Sequence, residues 1–445
     1  MEYKNKKVLV IGLARSGMAA IKLLNKLGAQ ITLSEIKEPK PEDVDILKSM
    51  NVEITNQMMS VFDGDFDLVV KNPGVPPVSP IVKKLKDRNI PIITEIELAY
   101  DVSKPQHYIA ITGTNGKTTT TTIVYEILKQ AYKDKALVGG NIGIPLCELV
   151  LEHNLMENEG YYISLEISNH QLVDIISFRP EVSTIINLGP DHLETMGSLH
   201  NYYKSKTEVY RNQKDDDLFI MNKDDELIKD YTNKYPVNCK IQTFSLENDD
   251  AYAYLKDDYI YVDNKKIIST DNIKVVGKHN IQNIIAAILA CKKVGVNDED
   301  IITAISNFKG VEHRIEFVRE INGIKYYNDS KGTNTDASIT ALKAFDKGVI
   351  LLVGGYEKGL DMSEMKKYLN PVKKVIGFGE AGKRIASDLV NDPIIVKTLD
   401  EAINEANKIA TSGDIVLLSP TTSSYDQYSG YEERGRHFKK LVNSL

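Results

Sequence analysis

At 445 residues the chain is long for a single core and suits two to four domains of ordinary size. Hydrophobic residues make up 42% and charged residues 26%, and the longest apolar run, Ile284 to Cys291, falls far short of the roughly 18 residues of a membrane span, so no transmembrane helix is expected. The formal charge of −7 argues against general nucleic-acid affinity, and any anionic substrate must meet a local positive site.

In chain order, "KKVLVIG" (6–12) reads as a strand rather than a signal peptide, because the apolar run is short, ends at Arg15 and lacks a small-residue cleavage site. "GMAAIKLLNKLGA" (17–29) is an amphipathic helix with a glycine stop and "QITLSE" (30–35) a second strand, which makes a βαβ unit. "FDLVVKNPG" (66–74) and "IPIITEIEL" (90–98) continue the strand alternation, and the polar "DVSKPQH" (101–107) marks a boundary near Tyr100. A second series opens with "YIAITG" (108–113) and runs through "YYISLE" (161–166) and "VSTIINLG" (182–189). "AYAYLKDDYIYVDNKKI" (251–267) alternates around a polar turn like a β-hairpin, and "NIQNIIAAILACKKVG" (280–295) is a helix with a broad apolar face. A third series follows "FKGVEHR" (308–314), with strands in "GVILLVGG" (348–355), "KKVIGFG" (373–379) and "DIVLLSP" (414–420).

The expected fold class is therefore α/β in three domains. Residues 1–100 form a Rossmann-like nucleotide-binding domain, 101–309 a P-loop-type parallel sheet with a small antiparallel annex, and 310–445 a second Rossmann-like domain. Three cysteines, Cys147, Cys239 and Cys291, stand too far apart for a disulfide framework or a zinc cluster, which fits a reducing cytoplasm.

Ligands in such sheets sit at the carboxyl ends of strands, so the polar residues there are the ones to read. "ITGTNGKTTTTT" (111–122) places a glycine-rich turn between a strand and a helix. Gly113 and Gly116 permit the turn, the amides of Thr114 and Asn115 join theirs in a phosphate cradle, Lys117 supplies a charge for β- and γ-phosphates, and Thr118 offers a hydroxyl to Mg²⁺. The strict P-loop pattern is not met, since Ile111 stands where its first glycine belongs. Thr119 belongs to the helix's first turn, where small hydroxyls serve anion or backbone, whereas Thr120 to Thr122 read as packing.

"VIGLARSG" carries Gly12, Ala14 and Gly17 in a near-dinucleotide fingerprint, with Glu35 ending the next strand. Glu166 ends a strand, and Asp191 and His192 follow the next one, where carboxylate and imidazole reach a metal held by phosphate. Asn280 and Asn283 share a helical face and suit either nucleotide contacts or, for Asn280, a helix cap. Arg314, Asp329, Lys331, Thr333 and Asn334 cluster after the last boundary, as a phosphate and ribose clamp or as surface ion pairs.

Taken together, "TGTNGKTT", "GGNIGIP" (139–145), "LEIS", "DH" followed by "YYKSK", "GKHNIQN", "EHR", "NDSKGTN", "GGYEKG" and "SPTTSSYDQYSGYEERG" resemble the Mur ligases, ATP-dependent amide-bond ligases of peptidoglycan synthesis. The "KNPG", "GNIGIP", "NDSKGTN" and "DQYSGYEERG" stretches are most similar to the branch that adds D-glutamate to UDP-N-acetylmuramoyl-L-alanine. The resemblance implies that Lys117 and Thr118 hold ATP phosphates and Mg²⁺, with two ions expected and with Glu166, His192 and an N-carboxylated (carbamylated) Lys206 as metal ligands. It implies ATP contacts from Asn280, Asn283, Arg314 and Asp329, and a uridine-diphosphate pocket from Arg15, Ser16, Glu35, Asn72 and Gly74. It further places Asn141 against the muramoyl group and Lys331, Thr333, Lys358, Ser424 and Tyr431 around D-glutamate. A monomer acting on small molecules, without nucleic acid or membrane span, is expected.

The chain departs from the family at Thr421, Thr422 and Ser423, where Ala-Cys-Ala is common, and at Asn169 and His170, where Ser and Phe are usual. The rival readings are a folylpolyglutamate synthase-like ligase lacking a uridine-diphosphate domain, an NAD-dependent oxidoreductase built on Gly12 and Gly17, and a non-catalytic nucleotide switch.

Overall fold

Short β-branched runs between amphipathic stretches become strands buried on both faces, and the computed structural model describes them over residues 2–56, 61–189 and 193–445. The first sheet contains β1 (Lys7–Ile11), β2 (Gln30–Glu35), β3 (Glu53–Asn56), β4 (Leu68–Lys71) and β5 (Ile92–Ile93), all parallel, in the order β3-β2-β1-β4-β5. Along β1, Val8 and Val10 enter one apolar layer while Leu9 and Ile11 enter the other, as a strand covered by helices on both sides requires. The strand order reverses between β1 and β4, so their carboxyl ends open a crevice between the turn at Gly12 and the turn at Asn72.

The second sheet comprises β6 (His107–Thr112), β7 (Ala136–Gly140), β8 (Tyr162–Glu166), β9 (Val182–Ile185), β10 (Leu218–Asn222), β11 (Lys240–Ser245), β12 (Ala253–Lys256), β13 (Tyr259–Val262) and β14 (Lys265–Ser269). Its order is β14-β13-β12-β11-β10-β9-β6-β8-β7, parallel from β7 through β12 and antiparallel across β12, β13 and β14. The expected hairpin is thus a three-stranded meander. Asp257 and Asp258, then Asp263 and Asn264, all adopt positive φ, the two-residue turn geometry that matches strand twist. The turn beyond β6 sits at this sheet's own reversal of strand order.

The third sheet is β15 (Glu316–Ile321), β16 (Ile324–Asn328), β17 (Val349–Gly354), β18 (Val372–Phe378), β19 (Ile394–Ile395) and β20 (Ile415–Leu418), ordered β15-β16-β20-β17-β18-β19 with only β15 antiparallel. Contacts divide the chain into two compact units, Met1–Thr270 with Gln282–Ile305, and Asp271–Ile281 with Ser306–Leu445. The first two sheets thus share one unit, and one apolar cluster runs from Val8, Leu23 and Leu24 through Ile96 and Leu98 to Leu146, Leu149 and Ile163.

Two expectations change. The first helix spans Arg15–Lys26, starting two residues before Gly17, so Arg15 and Ser16 occupy its first turn with their amides toward the crevice end. The "IPIITEIEL" stretch is a strand only at Ile92–Ile93 and becomes the helix Glu95–Val102. Carboxylate burial explains the change. Glu97 accepts from the amides of Ile176 (3.1 Å), Ser177 (2.6 Å) and Phe178 (3.0 Å) and from the Ser177 hydroxyl, while Glu95 accepts from the Cys147 amide at 3.0 Å. A strand would send Glu95 and Glu97 to the same face but not bring Leu98 and Ala99 into the core beside them.

Burial raises the Glu95 carboxyl from 4.5 to about 7 against the opposing pull of the Cys147 and Leu146 donors. The folded chain therefore holds this proton more tightly than the unfolded one, and the stabilisation is full below the unfolded value and lost as pH rises toward 7. Glu95→Gln should flatten the fall in thermal midpoint between pH 5 and 7, on the order of 2–3 kcal/mol for a shift of this size. Parallel slopes for parent and variant in calorimetry would contradict it.

Candidate active site

The turn after β6 is shaped by two glycines. Gly113 has φ +150°, and a Cβ there would meet Asn187 backbone at 3.3 Å; Gly116 has φ +81°, and its Cβ would lie 2.5 Å from Asn283 Oδ1. Asn187 pins the turn from the end of β9: its Oδ1 accepts from the Asn115 amide at 2.8 Å, its Nδ2 donates to the Asn115 carbonyl at 3.0 Å, and its carbonyl accepts from the Thr114 amide. The Thr114 hydroxyl accepts from the Gly189 amide and donates to the Gly189 carbonyl, at 3.0 and 3.1 Å. Asn187 was not singled out in the sequence; an amide residue directly behind the apolar "VSTII" is the signal that marks it.

Two ammonium groups converge here. Lys117 Nζ donates to the carbonyls of Gly113 and Thr114 at 2.9 and 2.8 Å, and Lys206 Nζ donates to the same Gly113 carbonyl at 2.8 Å. Lys206 is buried, with its Nζ 4.5 Å from the centre of the Tyr202 ring. The threonine run divides by position: Thr118 is the second residue of the helix Lys117–Tyr132 and half-buried, Thr119 is buried, and Thr120 and Thr121 are buried completely. Compact β-branched side chains let that helix approach the strands closely.

Glu166, at the end of β8, is 3% exposed. Its Oε1 accepts from Asn141 Nδ2 at 2.8 Å, and its Oε2 has no hydrogen-bond partner among the described residues. A buried carboxylate oxygen without a donor is costly, and as an acceptor-only group it suits a hard cation. The loop carrying Asn141 crosses so near that a Cβ on Gly140 would lie 2.2 Å from the Glu166 carbonyl. His192, the remaining expected ligand, lies outside the described residues, as does Asp191.

In the first-sheet crevice, Asn72 Nδ2 donates to Ser16 Oγ and the Gly74 amide donates to Asn72 Oδ1, both at 2.9 Å. Gly12, at φ +90°, admits Asn72: a Cβ there would stand 2.9 Å from Asn72 Cβ. Both Glu35 oxygens are engaged by backbone amides, those of Leu13 at 2.5 Å and of Ile36 and Lys37 at 2.8 and 3.2 Å, so this carboxylate shapes the turn. Arg15 reaches instead toward the 139–145 loop, donating to the Gly143 carbonyl at 2.5 Å and lying 3.4 Å from Glu148.

In the second compact unit, Asp329 follows β16 and is buried, with Oδ1 accepting from the Ile315 amide at 3.2 Å and Oδ2 from Ser419 Oγ at 2.8 Å. Burial raises its pKa to about 7, opposed by those two donors and by the charges of Arg314 and Arg434. Arg314 is exposed between two left-handed residues, His313 at φ +65° and Ile315 at +42°, a strained geometry that the Asp329 contact helps hold. Lys331 Nζ lies 5.7 Å from the centre of the Tyr431 ring, and Lys358 Nζ donates to the Thr333 carbonyl at 3.5 Å. Ser424 is buried and its carbonyl starts the turn to Tyr428. Asn280 is inside the helix Lys278–Lys293 and donates back to the Val276 carbonyl at 2.6 Å.

The sequence reading also missed Arg434. It is fully buried and donates to Ser330 Oγ and the carbonyls of Ser330, Thr422 and Gly354 at 3.0–3.3 Å, tying together the ends of β16, β17 and β20. Burial lowers its pKa to about 10, with Asp426, Tyr428 and Asp329 pulling the other way.

Three family descriptions match the chain in order: "Mur ligase MurD-like, N-terminal domain" over residues 6–94, "Mur ligase middle domain" over 111–291 and "Mur ligase, glutamate ligase domain" over 313–422. The sequence is 42% identical to UDP-N-acetylmuramoylalanine–D-glutamate ligase of Thermoanaerobacter pseudethanolicus and 40% identical to the ligase of that name from Caldanaerobacter subterraneus, each alignment covering all of both chains. Among solved structures, the MurF ligase of Thermotoga maritima in complex with ADP shares the fold, with TM-score 0.56 at 18% identity over 100% of this chain and 97% of that one.

Gly116→Ala tests the turn. Left-handed backbone at a non-glycine residue costs about 1–2 kcal/mol, and here a collision with Asn283 adds to it. Gly413→Ala, at φ +95° with open space around its Cβ, should show the backbone cost alone. Chemical denaturation should find Gly116→Ala the more destabilised; equal losses would remove the collision.

Proposed function

The chain belongs to the Mur ligase family, and from that premise we propose that it joins D-glutamate to UDP-N-acetylmuramoyl-L-alanine with ATP, making a peptidoglycan precursor. The observation that carries this reading is the match along the whole chain to ligases of that name. A folylpolyglutamate synthase-like ligase is not favoured, because residues 6–94 match the MurD-like N-terminal domain. An oxidoreductase built on Gly12 and Gly17 leaves the Gly113–Lys117 turn without a purpose.

In the proposed reaction the alanyl carboxylate attacks the γ-phosphorus of ATP, forming an acyl phosphate and releasing ADP. The D-glutamate amine then attacks the acyl carbon, losing a proton, and phosphate leaves with the bonding pair. Both encounters bring anions together, and catalysis rests on positioning and charge neutralisation rather than on a side-chain nucleophile. We assign the phosphate cradle to Gly113 through Thr119, with Lys117 on the β- and γ-phosphates. Thr118, Glu166, His192 and a carbamylated Lys206 would hold Mg²⁺, two ions in this reading, and the metal supplies further neutralisation of phosphate charge. The Glu166 oxygen that has no hydrogen-bond partner among the described residues fits that role.

Asn280, Asn283, Arg314 and Asp329 are assigned to ATP, and Arg15, Ser16, Glu35, Asn72 and Gly74 to uridine diphosphate. Asn141 faces the muramoyl group, and Lys331, Thr333, Lys358, Ser424 and Tyr431 take D-glutamate. Domain limits near 100 and 309, a monomer and a cytoplasmic reaction complete the proposal; no helix among the described residues is long and apolar enough to cross a membrane.

Phosphate release with UDP-N-acetylmuramoyl-L-alanine and a panel of D- and L-amino acids tests the function. Release should require D-glutamate, and Lys117→Ala should abolish it while uridine-nucleotide binding persists; turnover with L-glutamate at an equal rate would sink the assignment. The two carboxylates of D-glutamate each need a placed donor, and losing one charged contact typically costs about 1.5–3 kcal/mol, roughly ten- to a hundred-fold. Lys358→Ala should raise the D-glutamate KM by that factor and leave the ATP KM nearly unchanged. An unaltered D-glutamate KM rejects Lys358 as its ligand.

A further inference from the structure

One buried ion pair has no part in the chemistry above. Lys71, the last residue of β4, is 1% exposed, and its Nζ lies 3.2 Å from Asp174 Oδ2, which is itself 6% exposed as a residue. The same Nζ donates to the Val75 carbonyl at 3.2 Å. Among the described residues Lys86, half exposed, also faces Asp174, 3.9 Å from Oδ1. Replacing such a pair by apolar side chains is often neutral or stabilising, because taking two charges out of water offsets their attraction. Stability alone therefore does not account for it, and its connections do.

On one side, Lys71 closes the Asn72–Val75 turn from beneath, a turn already drawn together by the Val75 amide on the Asn72 carbonyl at 3.0 Å. That turn carries Asn72, bonded to Ser16 and to the Gly74 amide. On the other side, Asp174 follows the helix Asn169–Leu172, which starts just beyond Glu166 at the end of β8 and is fixed by a capping box between Ser168 and Gln171. The pair thus spans from the crevice of the first sheet to the strand end of the second, within one compact unit.

We propose that Lys71 and Asp174 are positioning residues, a buried strut that sets the Asn72–Gly74 turn, and with it the uridine diphosphate, relative to the strand end carrying Glu166. The inference rests on the proposed uridine-nucleotide site. A substrate that must reach from a nucleotide crevice to a phosphoryl-transfer centre needs that separation fixed, and a misplaced reacting carboxylate loses rate steeply.

The test is the charge-free double variant Lys71→Met with Asp174→Leu, followed by calorimetric UDP binding, KM for each substrate and thermal unfolding. The strut predicts a near-parental unfolding midpoint, about tenfold weaker UDP binding from loss of one placed hydrogen bond and its turn, and an ATP KM within about twofold. Unchanged UDP affinity, or equal losses for UDP-substrate and ATP, would overturn it. Should the double variant not fold, the isosteric Asp174→Asn should raise the KM of the uridine substrate selectively, and equal rises in both KM values again reject the strut. If the parent enzyme binds no UDP, the underlying site reading falls and the strut with it; parental UDP binding that survives in the double variant rejects the strut alone.

Discussion

Two lysine ammonium groups share one carbonyl oxygen, that of Gly113, and much of the first compact unit is arranged so that they can. Like charges this close repel unless dipoles or anions lie between them. Here the chain brings them together at a strand end, a glycine turn and the start of the helix that follows, and the one carbonyl dipole answers part of the repulsion. Everything that fixes the turn serves this concentration of charge: Asn187 holding Asn115, Thr114 bonded to Gly189, and Asn283 filling the space that a side chain on Gly116 would need.

How much of this was legible in the sequence depends on range. The strands, their grouping into three sheets and the glycine-lysine turn are local patterns, set by runs of apolar residues and by residues that tolerate positive φ. The Thr114–Lys117 turn and Glu166 could be named because strand ends in α/β sheets are where polar side chains gather. The helix at Glu95–Val102 was missed because "IPIITEIEL" reads locally as continued strand alternation, while in the fold Glu97 is wrapped by three successive amides more than seventy residues away. Arg434 and the Lys71–Asp174 pair were missed for the same reason: a charged residue becomes informative only when its distant partners are known. Glu35 shows the reverse, a residue expected to meet uridine diphosphate whose oxygens accept from the amides of its own neighbourhood.

The two compact units solve a similar problem by different means. In the first, buried carboxylates accept backbone amides and so fix loops. In the second, a buried guanidinium donates to backbone carbonyls, and Arg434 alone collects the ends of three strands. A planar five-donor fork reaches several carbonyls at once, whereas lysine would satisfy fewer and keep more freedom. Thr421, buried with φ +63° just after β20, sits in the segment that Arg434 secures, and its strained backbone is held by that same net.

The meander at the end of the second sheet bears on how the molecule behaves in a crowded solution. A nine-stranded sheet must stop somewhere, and an open strand edge invites pairing with a neighbouring chain. Here the terminal strand β14 begins with two lysines, Lys265 paired to Asp298 at 2.7 Å and Lys266 stacked 3.8 Å from the centre of the Tyr259 ring. Charges at the margin make edge-to-edge docking expensive, so the sheet terminates itself. The two tight turns thus put a strand that opens on two lysines, rather than an apolar one, at that margin of the sheet.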